Sequence, residues 1–227
     1  MDLCVKDVAQ LLRVSEVKIH EWLSKGALPS YKIANEIRFN RLELETWLIE
    51  HGLPHPSVSE DEDGPHDPLE PSILKYDLYR AIYRGRVIES QGANTKSSLI
   101  LETTQKVAQD YPIEPSSLFK LLMAREKLMS TGLGQGVAVP HTREFLMEAH
   151  FDAVYIVYPT EPIDFGSIDK QAVHTAFFLF ACSDKNHLHL LAKIAGFCQS
   201  KQHLRFLQSK PSKEKLLEMV LRWEKQL

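Results

Sequence analysis

The chain has 227 residues, 44% of them hydrophobic and 25% charged, and a formal net charge of −3. This length exceeds one ordinary domain and points to a larger and a smaller one, with the composition of a soluble globular protein rather than a disordered or membrane chain. The negative balance argues against wholesale charge-driven binding to nucleic acid.

No apolar run approaches the roughly 18 residues a membrane helix needs. The start MDLCVKDVAQ has neither the basic nor the apolar region of a signal peptide. No membrane insertion and a cytoplasmic location are therefore expected. Cys4, Cys182 and Cys198 are odd in number, far apart and free of any C-x-x-C pair, so reduced thiols are expected, with no disulfide framework and no metal site.

In chain order, Val8, Leu11 and Leu12 predict a short helical face, and Ser15 can cap a second helix carrying Ile19, Trp22 and Leu23 up to Gly26. LPSYKIANEIRF predicts a small hairpin, and Asn40 with Glu43 three residues on marks a third helix start. Residues 1–52 are thus read as one small domain. Residues 53–71 are acidic and rich in proline, too poor in apolar surface to offset their ordering entropy, and predict a flexible linker.

Residues 72–227 are read as the second domain. GRVIES predicts a strand, TKSSLILETTQKVAQ an amphipathic helix, and PSSLFKLLMAREKLM another with Pro115 near its start. GVAVP, FDAVYIVYP and HTAFFLFAC have strand length, while NHLHLLAKIAGFCQ and SKEKLLEMVLRWEK return to helical spacing. Intermixed strands and helices favour a layered α/β domain, a mixed central sheet flanked by helices.

The segment AREKLMSTGLGQGVAVPHTR, residues 124–143, carries the chemistry. Gly132, Gly134 and Gly136 allow backbone N–H groups to converge on an anion. Pro140 restricts Val139 to extended conformations and sets His141 rigidly at a strand end. A neutral imidazole there can attack phosphorus and hold the phosphoryl group in transferable form. TGLGQG fits neither dinucleotide nor P-loop patterns, so no nucleotide and no bound cofactor are implied. Arg125 is either a phosphate clamp or a helix-end charge, and Ser130 and Thr131 either donate to phosphoryl oxygens or stabilise the turn.

This segment resembles the active-site motif of the type-2 enzyme IIA family of the phosphotransferase system, with its fructose, mannitol and nitrogen-regulatory (PtsN-like) members. The resemblance runs from about residue 72 to 227 through GRVIES, R-E-K-x-x-S-T-G, PIDFGSIDKQAV and the terminal helix. It implies that His141 accepts a phosphoryl group from an HPr- or NPr-type phosphocarrier, and that a IIB protein or a regulatory target is the next partner. NHLHLLAKIAG looks like the family's H-L-x-x-L helix, which makes His187 the second histidine beside the phosphoryl group. His189, two residues on, is expected to face solvent, and His150 and His174 are expected to be structural. Where the family usually has Gly after Pro-His, this chain has Thr142.

The first 52 residues resemble the excisionase and MerR-like winged helix-turn-helix family through Val8, Ala9, Trp22, Gly26, Leu28, Pro29, Arg38, Phe39 and Trp47. That resemblance implies a second helix in the DNA major groove and a wing on phosphate. Lys18, His20, Lys25, Lys32, Arg38 and Arg41 are the candidate DNA contacts, opposed by Glu16, Glu21 and Glu36, and a protein-docking module is the competing reading. A homodimer is a candidate state, since such modules commonly act in pairs. With no IIB or IIC segment read here, regulation through the N-terminal module is expected over transport. The alternatives are a transcription regulator with a IIA sensor and a IIA component of a sugar permease.

Overall fold

A computed structural model describes residues 3–12, 14–26, 28–33, 36–40, 43–44, 47, 77–142 and 152–227. The linker read over residues 53–71, Arg41 and His150 lie outside these described residues.

The first unit runs β1 (Leu3–Cys4), α1 (Val5–Leu12), α2 (Glu16–Ser24), β2 (Tyr31–Ile33) and β3 (Glu36–Phe39). Ser15 caps α2 by accepting from the Lys18 N–H, as its position before the apolar face predicts. The hairpin is present with β3 in the middle, and β1, which has no sequence signature at two residues, pairs on its other edge. Asn40 accepts from the Glu43 N–H and starts the next helical turn. Val8, Leu12, Ile19, Trp22, Phe39, Leu44 and Trp47 form its buried centre, with the two indoles 6.1 Å apart.

The second unit continues with α3 (Asp77–Arg84), β4 (Val87–Glu89), α4 (Lys96–Asp110), α5 (Pro115–Leu128), β5 (Gly132–Gly134), β6 (Val137–Ala138), β7 (Ala153–Tyr158), β8 (Thr175–Phe180), α6 (Asp184–Cys198), α7 (Lys201–Gln208) and α8 (Lys213–Glu224). Its sheet has the order β4-β7-β8-β6-β5, with β4 parallel to β7, β7 antiparallel to β8, β8 parallel to β6 and β6 antiparallel to β5. The expected mixed sheet flanked by helices is what forms. The sequence reading did not anticipate α3, α7 or β5.

Both central strands are buried on both faces, which is why AVYIVY and TAFFLF read as unbroken apolar runs. Alternation sorts their side chains. Val154, Ile156, Tyr158, Phe177 and Leu179 pack with α3, α6, α7 and α8, whereas Ala153, Tyr155, Val157, Phe178 and Phe180 pack with α4 and α5. The two units are continuous on the first face, where α1 lies against α6 and Val8, Ala9 and Leu12 share one apolar cluster with Leu188, Leu191 and Ala192.

Helix starts follow local chemistry. Thr95 and Ser98 make a reciprocal capping box on α4, Glu114 accepts from Ser117 N–H ahead of Pro115 on α5, and Ser183 caps α6 through the Asn186 N–H. The start of α3 is held from a distance: both carboxylate oxygens of Glu224 accept from Leu78 and Tyr79 N–H at 3.1 and 3.0 Å, and Lys193 Nζ reaches the same carboxylate at 2.6 Å.

Candidate functional site

The chain leaves β6 through Val139 and Pro140, and His141 continues the strand line with a parallel bridge to Leu179. By strand alternation His141 falls on the side of Val137 and Val139, the face that α6 covers. His187, in the first turns of α6, meets it there with ring centroids 4.9 Å apart and planes tilted by 53°. From the other side Arg125, near the end of α5, directs Nε to His141 Nε2 at 3.0 Å and donates from Nη1 to the Met129 carbonyl at 3.0 Å. The three residues that the sequence singled out, far apart in the chain, are therefore brought together.

The contacts of the ring fix its tautomer. Nδ1 lies 2.7 Å from the Val139 carbonyl, which can only accept, so Nδ1 carries the proton. Nε2 then holds the lone pair and accepts from Arg125. The site is closed: His141, His187 and Arg125 are 0%, 1% and 4% exposed, and Thr142 is buried beside them.

The glycine segment differs from the anion cradle expected of it. It is a hairpin, β5 paired with β6, whose turn sits at the end of β6 remote from His141. Gly134 and Gly136 have φ of +87° and +76°, with Gln135 between them at +53°, and the Gln135 N–H is given to the Asp169 carboxylate at 2.6 Å. Gly132 serves another purpose, since a Cβ there would collide with Ser167. Ser130 donates to the Phe165 carbonyl at 2.7 Å and Thr131 to Glu126 at 2.5 Å, so both hydroxyls stabilise the loop in this state.

Sequence reasoning quoted Glu126 only as part of a motif and missed Lys96. Buried Glu126 also accepts from the Thr131 N–H at 3.0 Å, and Lys96 bridges it at 3.0 Å while donating to the Phe165 carbonyl at 3.1 Å. This network joins α4, α5 and the loop before β8, thereby holding the residue next to Arg125. Only the R-E adjacency signals it, because Lys96 lies 30 residues away.

His189 corrects an expectation. It does not face solvent: it is largely buried, with Nε2 3.3 Å from Asp77 of α3, because α6 has neighbours on nearly every side. His174 is partly buried at the start of β8 with Nδ1 2.8 Å from the Thr175 hydroxyl, and burial lowers its pKa.

Among the candidate DNA contacts, Lys18 and Lys25 both bind Glu21, at 2.8 and 2.6 Å, and Arg38 binds Glu36. Hydrogen bonds from Lys18 and then Lys25 hold the Glu21 carboxyl at about 2. His20 and Lys32 are exposed. No group of His, Cys, Asp and Glu suited to a metal ion occurs among the described residues, and none of their helices is long and apolar enough to cross a membrane.

Residues 82–223 match the family described as "Phosphoenolpyruvate-dependent sugar phosphotransferase system, EIIA 2", and residues 3–52 match "Helix-turn-helix domain". The nitrogen regulatory protein of Pseudomonas aeruginosa is 31% identical over 147 residues, 63% of this chain and 94% of that protein. The mannitol-specific phosphotransferase enzyme IIA component of Enterococcus faecalis is 27% identical over 130 residues, 57% of this chain and 89% of that protein. Among solved structures, nitrogen regulatory protein IIA-Ntr from Neisseria meningitidis aligns with a TM-score of 0.57 at 27% identity, over 63% of this chain and 98% of its own. IIA mannitol from Escherichia coli aligns at 0.50 and 21% identity, over 60% and 95%, and shows the shared fold. With that match spanning more than half its length, the chain belongs to the EIIA 2 family of the phosphotransferase system, joined to an N-terminal helix-turn-helix domain.

Proposed function

We propose that the chain is a regulatory phosphocarrier that accepts a phosphoryl group on His141 Nε2 from an HPr- or NPr-type protein. The observation that carries this reading is the pair of contacts on one ring, Val139 holding the Nδ1 proton and Arg125 marking the Nε2 lone pair. In the transfer, that lone pair attacks phosphorus while the donor's N–P bond breaks and the donor nitrogen keeps the electron pair. The proton stays on Nδ1, donated to the Val139 carbonyl, whose acceptance stabilises the imidazolium-like ring as charge develops. Arg125 moves its N–H from Nε2 to a phosphoryl oxygen, and His187 supports the group from the α6 side. No bound cofactor is required.

Incubation with enzyme I, its phosphocarrier and phosphoenolpyruvate should give acid-labile phosphate on the protein, abolished in His141→Ala. Absence of label, or undiminished label on that variant, overturns the reading. The nitrogen regulatory relatives and the attached helix-turn-helix domain favour signalling over sugar uptake, with a IIB protein or a regulatory target downstream. A cytoplasmic location agrees with this chemistry.

The second reading is direct DNA binding by the N-terminal unit, favoured by its family match. DNA phosphates would have to displace Glu21 and Glu36 from Lys18, Lys25 and Arg38, so affinity should be low and steeply salt-dependent. Gel shifts on genomic fragments across a salt series test it; a lack of any shift at low salt argues for protein docking instead.

A further inference from the structure

The nitrogen proposed to take the phosphoryl group is sealed. Nε2 of His141 is covered by Arg125, and neither ring of the histidine pair reaches solvent. A phosphoryl group brings three oxygens and close to two negative charges, so a wall must move before a donor's phosphohistidine can reach Nε2. One wall is the first part of α6, which carries His187 and whose N-terminal N–H groups attract an anion.

α6 is not free to move alone. From His187 to Cys198 nearly every side chain is buried, the polar His187 and Lys193 included, so the helix is covered on nearly every side. The sheet, α3, α7 and α8 cover part of it, and α1 of the helix-turn-helix unit lies against another part, within the same apolar cluster. A seam of this kind is close-packed and holds one relative position of its helices well.

We infer that the helix-turn-helix unit, docked through α1 on α6, is a built-in cover of the phosphoryl site, and that phosphorylation of His141 releases it. The inference rests on the phosphocarrier reading above. The docking surface on α6 and its occupant α1 belong to the same chain, so the switch needs no third protein. Release uncovers an apolar face on α6 and another on α1, each then available to a downstream partner. Coupling of this kind is reciprocal: whatever holds the released unit also opens His141 to its donor.

Hydrogen exchange on the full chain tests the inference. Amides of residues 3–12 and 184–198 are followed before and after treatment with enzyme I, its phosphocarrier and phosphoenolpyruvate, alongside His141→Ala treated identically. The expected result is acid-labile label on the wild type together with exchange about 10-fold faster in both segments, with α4 unchanged. Equal starting protection in His141→Ala shows that the variant is folded, and its exchange should not respond. Stoichiometric label with unaltered protection of residues 3–12 overturns the cover while leaving the phosphocarrier reading intact. Absence of label overturns both. Faster exchange in treated His141→Ala would mean the donor protein loosens the seam without phosphorylation, and would also overturn the inference.

Discussion

With Nδ1 of His141 committed to the Val139 carbonyl, the reactivity of the ring depends on what meets Nε2, and that is one planar guanidinium. Arg125 bonds His141 and Met129 at once through Nε and Nη1, a fork that lysine cannot reproduce. Arg125→Lys should lower the initial rate of phosphoryl uptake by about 10- to 100-fold, the equivalent of one charge-assisted hydrogen bond, at little change in melting temperature. His174 makes a different prediction. Burial lowers its pKa from 6.5, so in the folded chain it stays neutral where the unfolded chain takes up a proton. Its stabilising effect is complete above pH 6.5 and is lost progressively as pH falls below that value towards the lowered folded-state pKa, so His174→Gln should show a smaller drop in urea midpoint between pH 7.5 and 5.5 than the wild type. The Arg125, His141 and His187 constellation was legible in the sequence because each sits in a short motif. Lys96 was not, because its contact with Glu126 is made only by the fold.

At the level of elements, the central strands and the capped helices were legible, since β7 and β8 are continuous apolar runs and Thr95, Glu114-Pro115 and Ser183 announce their helices. Strand β5 was not: Gly-Leu-Gly has no strand propensity, and it pairs with β6 because Ser167 occupies the place of the missing side chain at Gly132. Gly132→Ala should therefore destabilise the protein by about 1–3 kcal/mol through overpacking. Combining it with Ser167→Gly should recover part of the loss, as read from denaturant midpoints. The direction of His189 was illegible for a related reason, because helical spacing gives a residue's angle but not which sides of the helix will be covered.

The second unit closes on itself as a whole through one buried carboxylate. Glu224 is fully buried, Lys193 is nearly so, and together they tie α8 to α6 and to the first N–H groups of α3. Glu224→Gln removes the Glu224 charge from the Lys193 ammonium and should cost about 3–5 kcal/mol, lowering the melting temperature by roughly 10 °C. Calorimetry checks this, and combining it with Lys193→Met, which removes the ammonium while Gln still offers the α3 N–H groups an amide oxygen, should be milder than Glu224→Gln alone. The order in which a ribosome releases this chain gives the same carboxylate a further consequence. Leu78 emerges 146 residues ahead of the group that accepts its N–H. Until Glu224 leaves the exit tunnel, α3 has an open start and Lys193 lacks the Glu224 carboxylate, so the nascent unit remains a partly assembled, chaperone-accessible species while the helix-turn-helix unit ahead of it can already fold.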